Sequence, residues 1–175
     1  MTIVFGEHVT AFAAWLHHTS LSLALQGQVQ WLWPLSESLH FAGLALLLGV
    51  AGMFDLRLMG LMKRVPVGIV QQFMPWAVVG FSVNLVTGLI FVISEPAQYF
   101  SNPTWWVKVA FLIVSGLNAL IYQLAFGARA ARLPAGEDTP LSFKIIGAVS
   151  LVSWFGVLWA GRMLPFIGAA IGAGL

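Results

Sequence analysis

Cysteine is absent from this 175-residue chain. That excludes disulfides, thiolate metal sites and a cysteine nucleophile. Charge is scarce: only 8% of residues are Asp, Glu, Lys or Arg, where soluble domains average about 25%. The formal net charge of +2 is small and spread along the chain, which excludes a nucleic-acid-binding role. Soluble-enzyme motifs are missing as well, with no Walker loop, no GxSxG and no HExxH. The opening MTIVFGEHV lacks the basic start of a secretory signal, and Glu7 and His8 precede any long apolar core. No connecting segment is long enough to fold as a soluble domain.

Apolar residues fill the space that these absences leave. They make up 59% of the chain, and the mean hydropathy is +0.91. A spanning helix needs about 20 mostly apolar residues. Four segments qualify, at 34–58, 72–95, 104–128 and 140–163. The expected fold is therefore all-α: an integral membrane four-helix bundle in a single domain, with the lipid bilayer as its main partner. Before the first span, residues 7–25 place Phe12, Trp15, Leu16 and Leu23 at helical spacing among His8, Thr10, His17, Ser20 and Ser22. That pattern predicts an amphipathic helix lying in the membrane interface. Residues 20–33 also alternate like a strand, but an isolated strand would leave its backbone unsatisfied in lipid, so helix or connector is preferred. The small-residue tail IGAAIGAGL reads as a frayed or lipid-contacting end.

Proline marks the helix boundaries. Pro34 precedes the first span, Pro96 and Pro103 bracket the loop EPAQYFSNP, and Pro140 opens the fourth span. Pro75 fits either the first turn of the second span or a kink within it. Basic residues give the orientation. Arg57, Lys63 and Arg64 follow the first span, and Arg129, Arg132 and Lys144 flank the loop between the third and fourth. Loop 96–103 has none. The positive-inside rule puts both basic loops in the cytoplasm and both termini outside. Trp31, Trp33, Trp105 and Trp106 then belong to an outer aromatic belt, and Glu37, His40, Glu95, Lys108 and Arg162 fall in the outer half of the bundle.

Ionisable residues inside a span cost about 2.5–3.5 kcal/mol at the helix centre on insertion scales, so each raises a functional question. His40 stands roughly 9 Å along the helix from Pro34. A neutral imidazole there is a ligand for iron, copper or zinc, or hydrogen-bonds to Glu37 or a neighbouring helix. Lys108 is either the partner of a buried anion or an interfacial lysine reaching outward. Gly80, Asn84, Gly88 and Glu95 form one stripe of the second span, suited to helix packing and interhelical hydrogen bonds or to lining a pocket. Arg162 suits a carboxylate or a headgroup. Asp55 and Arg57 read as trimming the cytoplasmic helix end. His17 and His18 point about 100° apart on a helix, so at most one could join His40 at a metal. Met53, Met59, Met62, Met74 and Met163 lie mainly on the cytoplasmic side, away from the histidines, which argues against one mixed copper site.

The stretch LHFAGLALLLGVAGMFDLRLMG has a histidine early in an apolar helix, glycines through its middle and an arginine-leucine ending. It resembles the first core helix of a broad bacterial group that includes copper-resistance protein D and the HemJ-type protoporphyrinogen oxidases. PTWWVKVAFLIVSGLNAL, with its aromatic cluster before a lysine, resembles the group's second signature; VTGLIF and WAGRMLPF fit as well. The likeness covers about residues 30–165 and extends to an uncharacterised family sharing the start WLWPLSESLHFAGLALLLG. It implies haem b bound at His40 and a functional Lys108. Asn118 and Tyr122 stand where a tyrosine and a histidine are expected for protoporphyrinogen oxidation, so no reaction is implied. On this resemblance, Lys108 and Arg162 would neutralise propionates, and Glu37 and Asn84 would support the ligand. His17, His18, a non-histidine group or another chain would supply any second axial ligand. The expected role is electron transfer at the inner membrane, alone, as a homo-oligomer or as a subunit of a redox complex. Copper transport and a purely structural membrane subunit are the rivals.

Overall fold

The computed structural model describes residues 7–27 and 31–172, and all of its regular structure is helical. Residues 28–30 of the alternating stretch and 173–175 of the tail lie outside the described residues.

Four helical stretches are long and apolar enough to cross a membrane: Leu32–Leu58, Val67–Ser94, Pro103–Ala130 and Leu141–Ile167. Before them come α1 (Glu7–His17) and α2 (Ser20–Gly27). The single interfacial helix expected over 7–25 is thus two. Thr19 explains the break. Its hydroxyl bonds the Leu16 carbonyl at 2.7 Å and accepts from the Ser22 amide at 3.3 Å, ending one helix and capping the next. Phe12, Trp15, Leu21 and Leu23 remain exposed on this pair. α2 is tied to the bundle by Ser22 Oγ, which donates to the Ile93 carbonyl at 2.7 Å, and by Gln26, which donates to the Ser94 carbonyl at 2.8 Å.

α3 (Leu32–Leu58) is unbroken. At 1.5 Å per residue its length of roughly 40 Å exceeds the ~30 Å hydrocarbon core. The second span starts as a short α4 (Val67–Gln71) and restarts as α5 (Met74–Ser94). Pro75 sits in the first turn of α5, where its missing N–H costs nothing. The connection α6 (Pro96–Phe100) leads to α7 (Pro103–Ile121), which is capped by Asn102, whose side chain accepts from the Thr104 amide at 2.9 Å. The third span continues through a π-helical turn, Tyr122–Phe126, into α8 (Gly127–Ala130). α9 (Leu141–Gly172) completes the bundle and carries Pro165 inside it.

α3 packs chiefly against α5, α7 against α9, and α3 joins the two pairs through α9. The core is densest at the end with the basic loops. There Phe54, Leu58, Val67, Val70, Tyr122, Ala130, Phe143 and Ile146 are buried together, with Leu47, Ala51 and Ala77 above them. The two basic loops are fastened to each other. Asp138 forms ion pairs with Lys63 (3.2 Å) and Lys144 (2.9 Å), and the Gly136 amide donates to the Lys63 carbonyl. Towards the opposite, tryptophan-bearing end the buried set turns polar: Ser22, Ser36, Thr87, Ser94, Asn102 and Thr104. This polar end holds the candidate site.

Candidate functional site

Glycine sets the geometry of the site. α3 and α5 cross so closely at Gly43 and Gly80 that a Cβ on Gly80 would lie 2.7 Å from the Gly43 carbonyl oxygen and 2.8 Å from the Leu47 amide nitrogen. Only two backbones without side chains can approach this way. The crossing fixes the register of the antiparallel pair. One turn before Gly43 on α3 stands His40, and two turns after Gly80 on α5 stands Thr87. Their side chains meet, with His40 Nδ1 2.7 Å from Thr87 Oγ1.

The proton inventory of this contact decides what the imidazole can do. Thr87 Oγ1 lies 2.7 Å from the Val83 carbonyl of its own helix and donates its single proton there. Towards His40 the hydroxyl is therefore an acceptor, and Nδ1 carries the imidazole proton. Nε2 is left with a lone pair and has no hydrogen-bond partner among the described residues. The ring is held edge-on against Phe91 at 5.4 Å, and Phe91 packs in turn against Trp33 at 5.0 Å. Gly88 lies beside the imidazole, where a Cβ would come 3.8 Å from His40 Cε1. A half-buried imidazole with its tautomer fixed and one free nitrogen has the chemistry to serve as a monodentate ligand.

Lys108 lies on α7 one and a half turns beyond its cap. Its ammonium stands over the Trp105 ring at 5.8 Å from the centroid and runs along α9 at Gly161, where a Cβ would be 3.6 Å from Nζ. Among the described residues the ion pairs are those at Asp138, so Lys108 is a half-buried cation with no carboxylate partner. His40 and Lys108 stand on α3 and α7, 68 positions apart in the chain.

The other candidate residues are placed differently. Glu37 is exposed on α3 and accepts from the Trp33 indole at 3.1 Å, whereas the partner of His40 is Thr87. Asn84 donates to the Gly80 carbonyl at 3.0 Å and packs against Gly43, so it shapes the helix crossing. Arg162 is exposed, its guanidinium 5.1 Å from the centre of the Phe166 ring. His17 and His18 face each other edge to face at 5.5 Å at the end of α1. Among the described residues no three His, Cys, Asp or Glu side chains come together as a metal-holding group. In α6, outside the spans, burial and then the carboxylates of Glu37 and Glu95 push the Tyr99 hydroxyl up to about 12. Both acids thus sit at the mouth of the polar end.

Two features escape the sequence reading. Thr87 is one; its position seven residues after Gly80, on the same face of α5, was the available signal. The second is the depth of Asp55 and Arg57. Both are buried, at 3% and 0% exposure. Arg57 folds back to donate from Nε to the Val65 carbonyl, leaving both terminal nitrogens unpaired, and Asp55 Oδ2 has no partner either. A helix-end trimming role does not describe such groups.

The chain belongs to the family of unknown function DUF6644, whose profile matches residues 12–167. No curated protein and no solved structure shows significant similarity to it.

Proposed function

We propose that this DUF6644 member is a b-type haem protein of the bacterial inner membrane that transfers electrons, alone or as the membrane subunit of a redox complex. The observation that carries the reading is the His40–Thr87 contact, which holds Nδ1 as a donor and presents the Nε2 lone pair. Haem would supply a one-electron centre whose potential the protein tunes through axial ligand, hydrogen bonding and burial.

The chain's own residues fit this group. Thr87 orients the imidazole and, by accepting from Nδ1, raises the basicity of Nε2. Phe91 packs against the imidazole ring, and Trp33 packs against Phe91. Lys108 offers an uncompensated positive charge at the polar end, which suits a propionate carboxylate. The Gly43–Gly80 crossing is filled by backbone and admits no inserted ring. The space beside Gly43 is taken by Asn84 and Gly80. The distribution of basic residues supports cytoplasmic basic loops, an outward-facing site and both termini outside. The likeness of the His40 and Lys108 helices to copper-resistance protein D and HemJ-type proteins points the same way.

The test is a pyridine haemochrome assay on protein purified from haem-replete cells, giving about one haem b per chain. Lys108→Met should lower haem retention with the fold intact. Stoichiometric copper without porphyrin would replace this reading with the copper one.

A further inference from the structure

α3 and α9 come close at Gly147, where a Cβ would lie 2.7 Å from the Asp55 carbonyl oxygen and 3.0 Å from Leu58 Cβ. From this contact towards the bilayer centre the two helices leave a groove of about 470 Å³. Ligand sites commonly run from about 300 to 1,000 Å³. Leu48 and Gly52 of α3 and Leu151, Phe155 and Leu158 of α9 are among its walls. Asp55 stands at its near end but is only 3% exposed, with Oδ2 buried. The groove therefore offers an occupant almost no polar surface. Phe155 and Leu158 are exposed, so it opens sideways to lipid. Gly52 leaves room in it, since a Cβ there would meet nothing within 4 Å.

This apolar groove continues a stripe that begins at a cation. On α9, Lys144, Ala148, Leu151, Phe155 and Leu158 recur at spacings of three and four residues, which puts them on one face of the helix. Lys144 stands where α3 ends: a Cβ on Gly60 would lie 3.5 Å from Lys144 Cε. Lys144 and Lys63 share one carboxylate, that of Asp138. Two ammonium groups against one carboxylate leave one positive charge over, on side chains that are 35% and 48% exposed. Each ammonium has three donors, so both can bond a second oxygen anion. The lengths agree as well. From Lys144 to Leu158 is roughly 21 Å along the helix at 1.5 Å per residue. One leaflet with its headgroups is roughly 20–22 Å, half of the whole bilayer.

We propose that the groove seats an acyl chain of one anionic phospholipid from the leaflet at the basic end, with its phosphate at Lys144 and Lys63. The chain runs along Leu151, Phe155 and Leu158 and over Gly52. The phosphate takes up the charge that Asp138 leaves unneutralised. A zwitterionic lipid would fill the groove equally well but brings its own cation to the lysines. Each basic side chain near a membrane surface favours anionic lipid about fivefold. The site lies at the opposite end of the bundle from His40 and does not rest on haem being there.

The full chain in detergent micelles, titrated with dioleoyl-phosphatidylglycerol or dioleoyl-phosphatidylcholine and read by native mass spectrometry, tests this. The first phosphatidylglycerol should bind at least fivefold more tightly than the first phosphatidylcholine. Gly52→Leu fills the groove from a position with free space, so it should keep its helix content and bind that first phosphatidylglycerol at least fivefold more weakly. In Lys144→Gln, Lys63 still holds Asp138, and the two lipids should bind nearly alike. Equal binding of the two lipids by wild type, or equal phosphatidylglycerol binding by Gly52→Leu and wild type, would overturn the proposal. A colourless protein that keeps the lipid preference would refute the haem reading alone, and a haem-loaded protein without it would refute this site alone.

Discussion

At the scale of single residues, the account rests on where one proton sits. Thr87 spends its hydroxyl proton on Val83, so His40 must donate from Nδ1. Thr87→Val keeps the shape and removes the acceptor. Loss of such a supporting partner typically costs 10–100-fold in affinity, so a haem titration of the apo-protein should show a weakening of about that size. Unchanged affinity would mean that Thr87 only packs. Glycine makes a second residue-level contrast. Gly80→Ala must push two backbones apart and should destabilise by about 1–3 kcal/mol, whereas Gly49→Ala meets nothing within 4 Å and should be neutral or mildly stabilising. Thermal unfolding in detergent separates the two. His40 and Lys108 stood out in the sequence because charge is so rare here. Thr87 did not, because a threonine costs little in a membrane helix and its value comes only from what α3 brings against it. Arg57 and Asp55 were misread for a similar reason. They occupy a helix end in sequence, but the return of the chain through Val65 and the packing of α9 enclose them.

At the scale of elements, the four spans were legible from hydropathy and proline, and their ends agree with the structure to within about two residues, except that the fourth runs on to Ile167 rather than 163 and that the second differs at α4. There the second span begins at Val67 rather than near residue 72, because Pro75 starts a new helix after a short preceding one. The π-helical turn at Tyr122–Phe126 carries no sequence mark; it depends on Tyr122 reaching Phe54 and Gln71 on other elements. Two joints between elements can be tested. Asn102 caps α7 and also donates from Nδ2 to the Leu164 carbonyl of α9 at 2.8 Å. Asn102→Ala should cost about 1–3 kcal/mol, from a lost cap and a lost buried hydrogen bond. That corresponds to a Tm lower by several degrees at this chain length, and an unchanged Tm would contradict the role of the joint. The clamp at Asp138 should respond to acid. Hydrogen bonds from Lys144 and Lys63 hold its carboxyl down at about 2, below the ordinary 3.8. The clamp's contribution is therefore complete above about pH 4 and is lost as the pH falls through about 2. Limited proteolysis of the 131–140 loop should accelerate over that window, and in Asp138→Asn it should be fast at all pH values.

At the scale of the whole molecule, the bundle has two unlike ends: an apolar core beneath clamped basic loops, and a polar end with α1, α2 and α6 beside it, in whose half of the bundle His40 and Lys108 stand. Neither end was visible from any one segment; the contrast arises only when antiparallel helices place their termini together. Reporter fusions at residue 136 should read cytoplasmic and those after residue 175 periplasmic, and the reverse would move the His40 site to the cytoplasmic face. The most direct test of the central claim is the reduced-minus-oxidised visible spectrum of the purified protein, recorded side by side for wild type, His40→Ala and His18→Ala. A Soret band and a b-type alpha band in wild type and His18→Ala, both lost in folded His40→Ala, are the predicted result. A colourless wild-type protein, or an undiminished haem spectrum in His40→Ala, would contradict it.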